Sequence, residues 1–263
     1  MFETLKITTD ARGVATLSLA RPEKHNAMSG RMIEELAHAA ARLAADPAVR
    51  VVVLAAEGKS FCAGGDLKWM QAQMEAGADQ RRAEARKLAD ALFQLNTLPK
   101  PLIGRVQGNA FGGGIGMISV CDVAIGVPEA RFGLTETRLG LIPATISPYV
   151  LARMGESHAR RVFMSARLFD APEARDLGLL ARVVEAATLD AAIEAEVVPY
   201  LSAAPGAVAA AKRLARSLGP KITPEIIAAT IEQLVACWEG DEAPEGIAAF
   251  FEKRPPRWRA SGV

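Results

Sequence analysis

The sequence predicts an α/β fold, and three observations carry that prediction. Short, unbroken apolar runs at 51–55, 102–106 and 123–127 have the length and composition of strands buried on both faces. Between them lie segments whose apolar residues recur three and four apart, the spacing of an amphipathic helix. Short links join the two kinds of segment, so strands and helices alternate along the chain instead of segregating.

Residues 5–8 and 14–19 alternate apolar with polar around Asp10 and Gly13, which predicts a hairpin. A polar turn at 21–26 precedes a helix capped by Ser29, with Ile33, Leu36, Ala37, Ala40 and Leu43 on one face and Asp46-Pro47 at its end. After the run at 51–55 comes a glycine-bearing loop, 57–66, and a helix over 67–74. Residues 75–82 are polar and are expected to form a mobile link to a long helix over 82–98, stopped by Pro99 and Pro101. The run at 102–106 leads into Val106-Gln-Gly-Asn-Ala-Phe-Gly-Gly-Gly-Ile-Gly116, expected as strand, glycine turn and helix entrance. A loop beginning at Phe132 runs through Pro143, and helices are expected over 145–154 and 157–165. Asp170-Ala-Pro-Glu173 combines an N-cap aspartate, a first-turn proline and an acid three residues on, a helix start that Gly178 then ends. A last strand is expected within 180–184. Beyond it the composition turns alanine-rich, broken at Pro205, Gly219-Pro220 and Pro244, which predicts two regions, 1–188 and an all-helical 189–263.

Half the 263 residues are hydrophobic and the formal net charge is +1, so no global field attracts nucleic acid or anionic lipid. No apolar run is long enough to span a bilayer. Met1 to Asp10 lacks a basic segment followed by an apolar one, so no signal peptide is expected. Cys62, Cys121 and Cys237 are too far apart for a disulfide framework or a CxxC metal site, which points to a reducing, cytoplasmic setting.

The glycine cluster has no Lys-Ser or Lys-Thr after it, which excludes a P-loop, and it does not fit GxGxxG. HExxH and GxSxG are absent. On its own, the cluster fits close helix packing as well as a backbone facing a ligand. Two glycine loops and one loop carboxylate remain. Chemistry on a thioester needs an enolate oxygen stabilised, and backbone N–H groups of Gly65 and Gly113, from separate loops, would do so without buried cations. Glu136 would move protons, because an apolar pocket raises a carboxyl pKa toward neutrality. Taken alone, a glutamate at such a position is more often a solvated loop acid. His25, His38 and His158 are isolated and expected at the surface or at caps, and Asp122 is expected to accept local backbone hydrogen bonds.

Taken together, Arg21-Pro-Glu-Lys-His-Asn-Ala-Met28, Phe61-Cys-Ala-Gly-Gly-Asp-Leu67, residues 106–114, Phe132-Gly-Leu-Thr-Glu136 and the ending Phe250-Phe-Glu-Lys-Arg254 resemble the enoyl-CoA hydratase/isomerase, or crotonase, superfamily. The resemblance implies a spiral of ββα repeats followed by a helical trimerisation region, assembled as a homotrimer or dimer of trimers. It implies an acyl-CoA substrate, no metal, and no cofactor beyond the coenzyme A moiety. Gly65 and Gly113 would form the oxyanion hole, and Glu136 would be the catalytic acid/base. Lys24, Ala27, Ala63 and Asp66 would contact coenzyme A, joined by Phe250 and Lys253 of a neighbouring subunit.

One departure bears on the reaction. Typical hydratases of the family carry a second glutamate where this chain has Gly116. Family isomerases work with one glutamate at the Glu136 position. The run Leu139-Gly-Leu-Ile-Pro-Ala-Thr-Ile-Ser-Pro-Tyr149 is similar to bacterial methylglutaconyl-CoA hydratases of leucine and acyclic-terpene breakdown. Hydration of a branched enoyl-CoA is therefore the leading expectation and isomerisation the alternative. A non-catalytic acyl-CoA- or RNA-binding member stands behind both. The missing acid at Gly116 is expected to leave room beside the reacting carbons, and Trp69, Met70, Ile115, Ser147 and Tyr149 are expected to line the pocket.

Overall fold

Strand residues 51–56 are buried at every position because sheet neighbours flank them and helices cover them. The computed structural model describes residues 2–259; Met1 and residues 260–263, the outer ends of the two expected regions, lie outside the described residues. In chain order the strands are β1 (Leu5–Thr9), β2 (Val14–Leu19), β3 (Val51–Ala56), β4 (Ser60–Cys62), β5 (Leu102–Val106), β6 (Asn109–Phe111), β7 (Val123–Gly126), β8 (Arg131–Gly133), β9 (Leu168–Asp170) and β10 (Arg182–Val183). The helices are α1 (Gly30–Ala45), α2 (Leu67–Glu75), α3 (Ala78–Asn96), α4 (Gly113–Ser119), α5 (Ser147–Met154), α6 (Glu156–Phe163), α7 (Ala171–Asp176), α8 (Leu189–Ser202), α9 (Pro205–Leu218), α10 (Pro224–Glu239) and α11 (Glu242–Glu252).

Two sheets result. The larger runs β1-β2-β3-β5-β7-β10, parallel from β2 onward, and the smaller runs β4-β6-β8-β9. Successive turns of the chain place one strand in each sheet and then a helix, as in β3-β4-α2 and β5-β6-α4. This is the expected ββα spiral of an α/β fold. The smaller sheet is where the sequence reading fell short: 57–66 and the segment from Phe132 were expected as loops. Three-residue strands are too short to display alternation, and parallel pairing with neighbours distant in sequence creates them.

Local signals hold at several ends. Ser29 Oγ accepts from Met32 N–H at 3.2 Å and Asp170 Oδ1 from Glu173 N–H at 2.9 Å, each capping its helix. The expected mobile link at 75–82 shrinks to Ala76 and Gly77, because α3 already begins at Ala78. Arg81 secures that junction, donating to the carbonyls of Gln73 and Met74. Pro244 does not break a helix but sits in the first turn of α11, where a missing N–H costs nothing.

The main core extends past the sheets into the C-terminal helices, since Leu189, Ala192, Ile193 and Val197 of α8 pack within it. Smaller apolar clusters join α10 to α3, and α11 to Leu141. An ion pair also ties α9 to the sheet. Lys212 Nζ lies 2.6 Å from Asp122 Oδ2, which also accepts from Leu102 N–H at 2.8 Å. No helix among the described residues is long and apolar enough to cross a membrane, and among them no group of three or more metal-ligating side chains forms.

Candidate active site

Gly65 is held by its neighbours. Met28 N–H donates to Gly64 O at 2.8 Å and Asp66 N–H donates to Met28 O at 2.9 Å, forming an isolated parallel bridge. N–H and C=O of a trans peptide point in opposite directions. Since Gly64 C=O faces Met28, Gly65 N–H faces away from it and meets no acceptor among the described residues.

The same argument applies at α4. Gly112 O accepts from Ile115 and Gly116 N–H at 2.9 and 3.2 Å, so it points into the helix and Gly113 N–H points out of its start. That N–H also lacks an acceptor among the described residues. Gly112 has φ 49°, a left-handed conformation that favours glycine. A Cβ there would lie 2.9 Å from Glu136 Oε1 and 4.0 Å from Gly64 Cα, so both glycine loops and the Glu136 carboxyl converge.

They converge on a cavity of about 440 Å³ that Ala63, Gly65, Gly113, Glu136 and Phe250 all line. Its remaining wall is mostly apolar, including Met28, Trp69, Met70, Ile146 and Trp238. Trp69 is fixed from behind, its Nε1–H donating to Glu84 Oε2 at 3.2 Å. Glu136 as a residue is half-buried, but its Oε2 is closed off from solvent and has no hydrogen-bond partner among the described residues. Burial pushes the carboxyl up to about 7, against a smaller opposing pull from its own backbone N–H. It is therefore an acid/base group poised near neutral pH, beside two N–H donors without partners.

Lys24, Ala27, Asp66 and Lys253 stand outside the lining. Lys24 and Lys253 are exposed. Ala27 O accepts from Arg21 Nη1 at 2.8 Å, while Arg21 Nη2 pairs with Asp66 Oδ2 at 3.0 Å. Asp66 also caps α2 through Lys68 and Trp69 N–H. Burial alone would raise the Asp66 carboxyl, but Arg21 and these N–H groups hold it below its ordinary value. Its partners make Asp66 an internal brace of the Gly65 loop. Phe250, expected from a neighbouring subunit, lines this chain's own cavity because α11 folds back over the turn at 136–139.

Three expected wall residues are elsewhere. Ile115 is wholly buried, Ser147 Oγ donates to Ala144 O at 2.6 Å, and Tyr149 faces a separate cavity beside Asp122 and Lys212. The expected space at Gly116 is also absent. A Cβ there would lie 2.5 Å from Ile146 Cγ2 and 3.0 Å from Ile146 Cβ. Ile146, not a void, occupies the place of a second acid, and it presents an apolar wall to the cavity. Arg138, Leu234 and Trp238 also line it, unforeseen from sequence. Arg138 could have been suspected from its place two residues after Glu136, whereas the other two arrive only through folding of the C-terminal helices.

Comparison with known proteins agrees with this geometry. Residues 9–261 match the enoyl-CoA hydratase/isomerase family. Mitochondrial methylglutaconyl-CoA hydratase of Mus musculus is 32% identical, with 94% of this chain and 80% of that protein covered. An enoyl-CoA hydratase structure from Shewanella pealeana superposes with a TM-score of 0.81 at 39% identity, covering 98% of this chain and 97% of that one. Pseudomonas aeruginosa AtuE superposes with a TM-score of 0.80 at 37% identity, covering 97% and 99%. With its motifs, its spiral of two sheets and a match along nearly its whole length in agreement, the chain belongs to the enoyl-CoA hydratase/isomerase family.

Proposed function

We propose that this chain catalyses reversible hydration of a branched α,β-unsaturated acyl-CoA, with a methylglutaconyl-type acyl group as the favoured substrate. The observation that carries the reading is one buried, near-neutral carboxyl, Glu136, in an apolar cavity with two unpartnered backbone N–H groups, Gly65 and Gly113. The N–H pair accepts the thioester oxygen and stabilises the negative charge that grows on it as water adds; one such donor is worth about 100- to 1,000-fold in rate. Glu136 as carboxylate takes a proton from water while the oxygen bonds to the β-carbon. The protonated acid then gives that proton to the α-carbon, so one group closes the proton balance. The acyl preference draws on the name of the mouse relative.

Lys24, Ala27, Ala63 and Lys253 are the proposed contacts to coenzyme A, and the scheme needs no cofactor beyond that moiety. We place the protein in the cytoplasm as a homotrimer or dimer of trimers, with 189–263 as the assembly region. Helix α9 supports assembly, having no buried residue and exposing Leu214 and Leu218.

Replacing Glu136 with Gln should lower hydration at least ~100-fold; near-unchanged turnover would reject its role. A second reading is isomerisation, favoured by the absence of a second acid at Gly116. Loss of the conjugated-thioester absorbance from an enoyl-CoA identifies hydration. Its appearance from a non-conjugated isomer identifies isomerisation.

A further inference from the structure

We propose that Arg138 recognises a carboxylate carried by the acyl chain, making it the residue that selects dicarboxylic over plain branched thioesters. The inference rests on the acyl-CoA reading of this cavity.

Arg138 is the one Arg or Lys among the residues lining the cavity. Its guanidinium makes no ion pair and no hydrogen bond among the described residues. Many of the chain's other arginines are committed to carboxylates, as Arg21, Arg81, Arg82 and Arg167 are. A free guanidinium keeps its planar fork of donors available to a carboxylate oxygen pair.

Its position is fixed. Arg138 lies in the short 3₁₀ turn Glu136–Leu139, which holds it two residues from the proposed acid/base. Arg138 N–H donates to Thr135 O and Leu141 N–H donates to Glu136 O, both at 3.1 Å. Thr137 Oγ1 donates to Met164 O at 3.2 Å, fastening the turn from one side. From the other side α11 packs so close that a Cβ on Gly246 would lie 2.5 Å from Leu139 C.

The surrounding chemistry leaves a charged acyl chain no other partner. Apart from Glu136, the polar side chains of the wall are Thr135, Thr145 and the indole of Trp69. A second carboxylate entering this apolar space near Glu136 would lose its water and repel the acid/base. Arg138 offsets both costs. The same cation could instead meet a coenzyme A phosphate, and the test separates the two sources.

Glutaryl-CoA and valeryl-CoA share coenzyme A and chain length but differ in the terminal carboxylate. Their Kd values are measured by titration calorimetry on the wild type, Arg138→Gln and Arg138→Lys. The expected result is a ~10- to 100-fold shift of the Kd ratio against glutaryl-CoA in Arg138→Gln, the size of a lost charge-assisted contact, with partial recovery in Arg138→Lys. An unchanged ratio overturns the proposal. So does equal weakening of both ligands, which assigns Arg138 to a phosphate or to packing. Because binding is read without turnover, the result stands apart from wild-type hydration of methylglutaconyl-CoA, whose absence would reject the hydratase reading alone.

Discussion

Adding a single methyl group at residue 116 tests whether Ile146 fills the place of a second acid. In Gly116→Ala the new carbon would sit 2.5 Å from Ile146 Cγ2, 3.0 Å from Ile146 Cβ and 3.7 Å from Leu92 Cδ1. Nonbonded carbons prefer about 3.5–4.0 Å, so roughly 1 Å must be found at the closest contact. Every residue of α4 is buried, and Ile146 is 2% exposed, so neither side has free space to move into. Overpacking of this kind costs about 1–3 kcal/mol, partly offset by about 1 kcal/mol from replacing a helical glycine with alanine. Net destabilisation of about 0–2 kcal/mol is expected. Ile146→Ala alone should cost about 2–5 kcal/mol as a cavity. In that background the added methyl fills space instead of clashing, so Gly116→Ala should become stabilising by about 1 kcal/mol. Urea unfolding of the four proteins measures the cycle. A Gly116→Ala effect of equal sign and size in both backgrounds would refute the packing argument. If it holds, Gly116→Glu cannot restore a two-carboxylate site, because its first carbon already lacks room and its charge would be buried without a partner.

Three further perturbations follow from the site and its scaffold. The raised Glu136 pKa has two consequences of defined sign: hydration that needs the carboxylate should fall as pH drops through about 7, and the group's contribution to stability should move oppositely. With a folded pKa above the ordinary 4.5, that contribution is fully present below 4.5 and is lost as pH rises through about 7, so Glu136→Gln should gain stability relative to wild type over that window in urea titrations at pH 5 and 8. Gly113→Ala would put Cβ 1.8 Å from Met28 Cε, whereas Gly65→Ala meets only Met70 Cγ at 3.4 Å. Steady-state assays should therefore find about 100-fold lost at Gly113 and a much smaller loss at Gly65, the reverse order counting against the assigned geometry. Lys212→Met strips Asp122 of its 2.6 Å partner and should cost about 2 kcal/mol by urea unfolding, less than a fully buried pair because Asp122 is part exposed.

What the residues disclosed beforehand were features encoded over short spans. The apolar runs of β3, β5 and β7, the Ser29 and Asp170 caps, and the switch to alanine-rich helices are local patterns, and they form as expected. The motifs around Gly65, Gly113 and Glu136 were legible because backbone donors and a loop acid have a recognisable residue signature. Their meeting was inferred from resemblance, not from spacing.

Tertiary structure decided the rest, for a common physical reason: each missed feature is a contact between segments distant in sequence. The smaller sheet consists of three-residue strands that exist only when paired. Asp66 is a brace because Arg21, 45 residues earlier, reaches it. Phe250 and Trp238 enter the cavity wall when the C-terminal helices fold back across it. Gly116, from sequence alone, looked like an absence beside the reacting carbons. In the folded chain that place holds Ile146, because close packing leaves no side-chain-sized gap unfilled. The sequence by itself thus determined which groups can do the chemistry, and the fold decided which surfaces surround them.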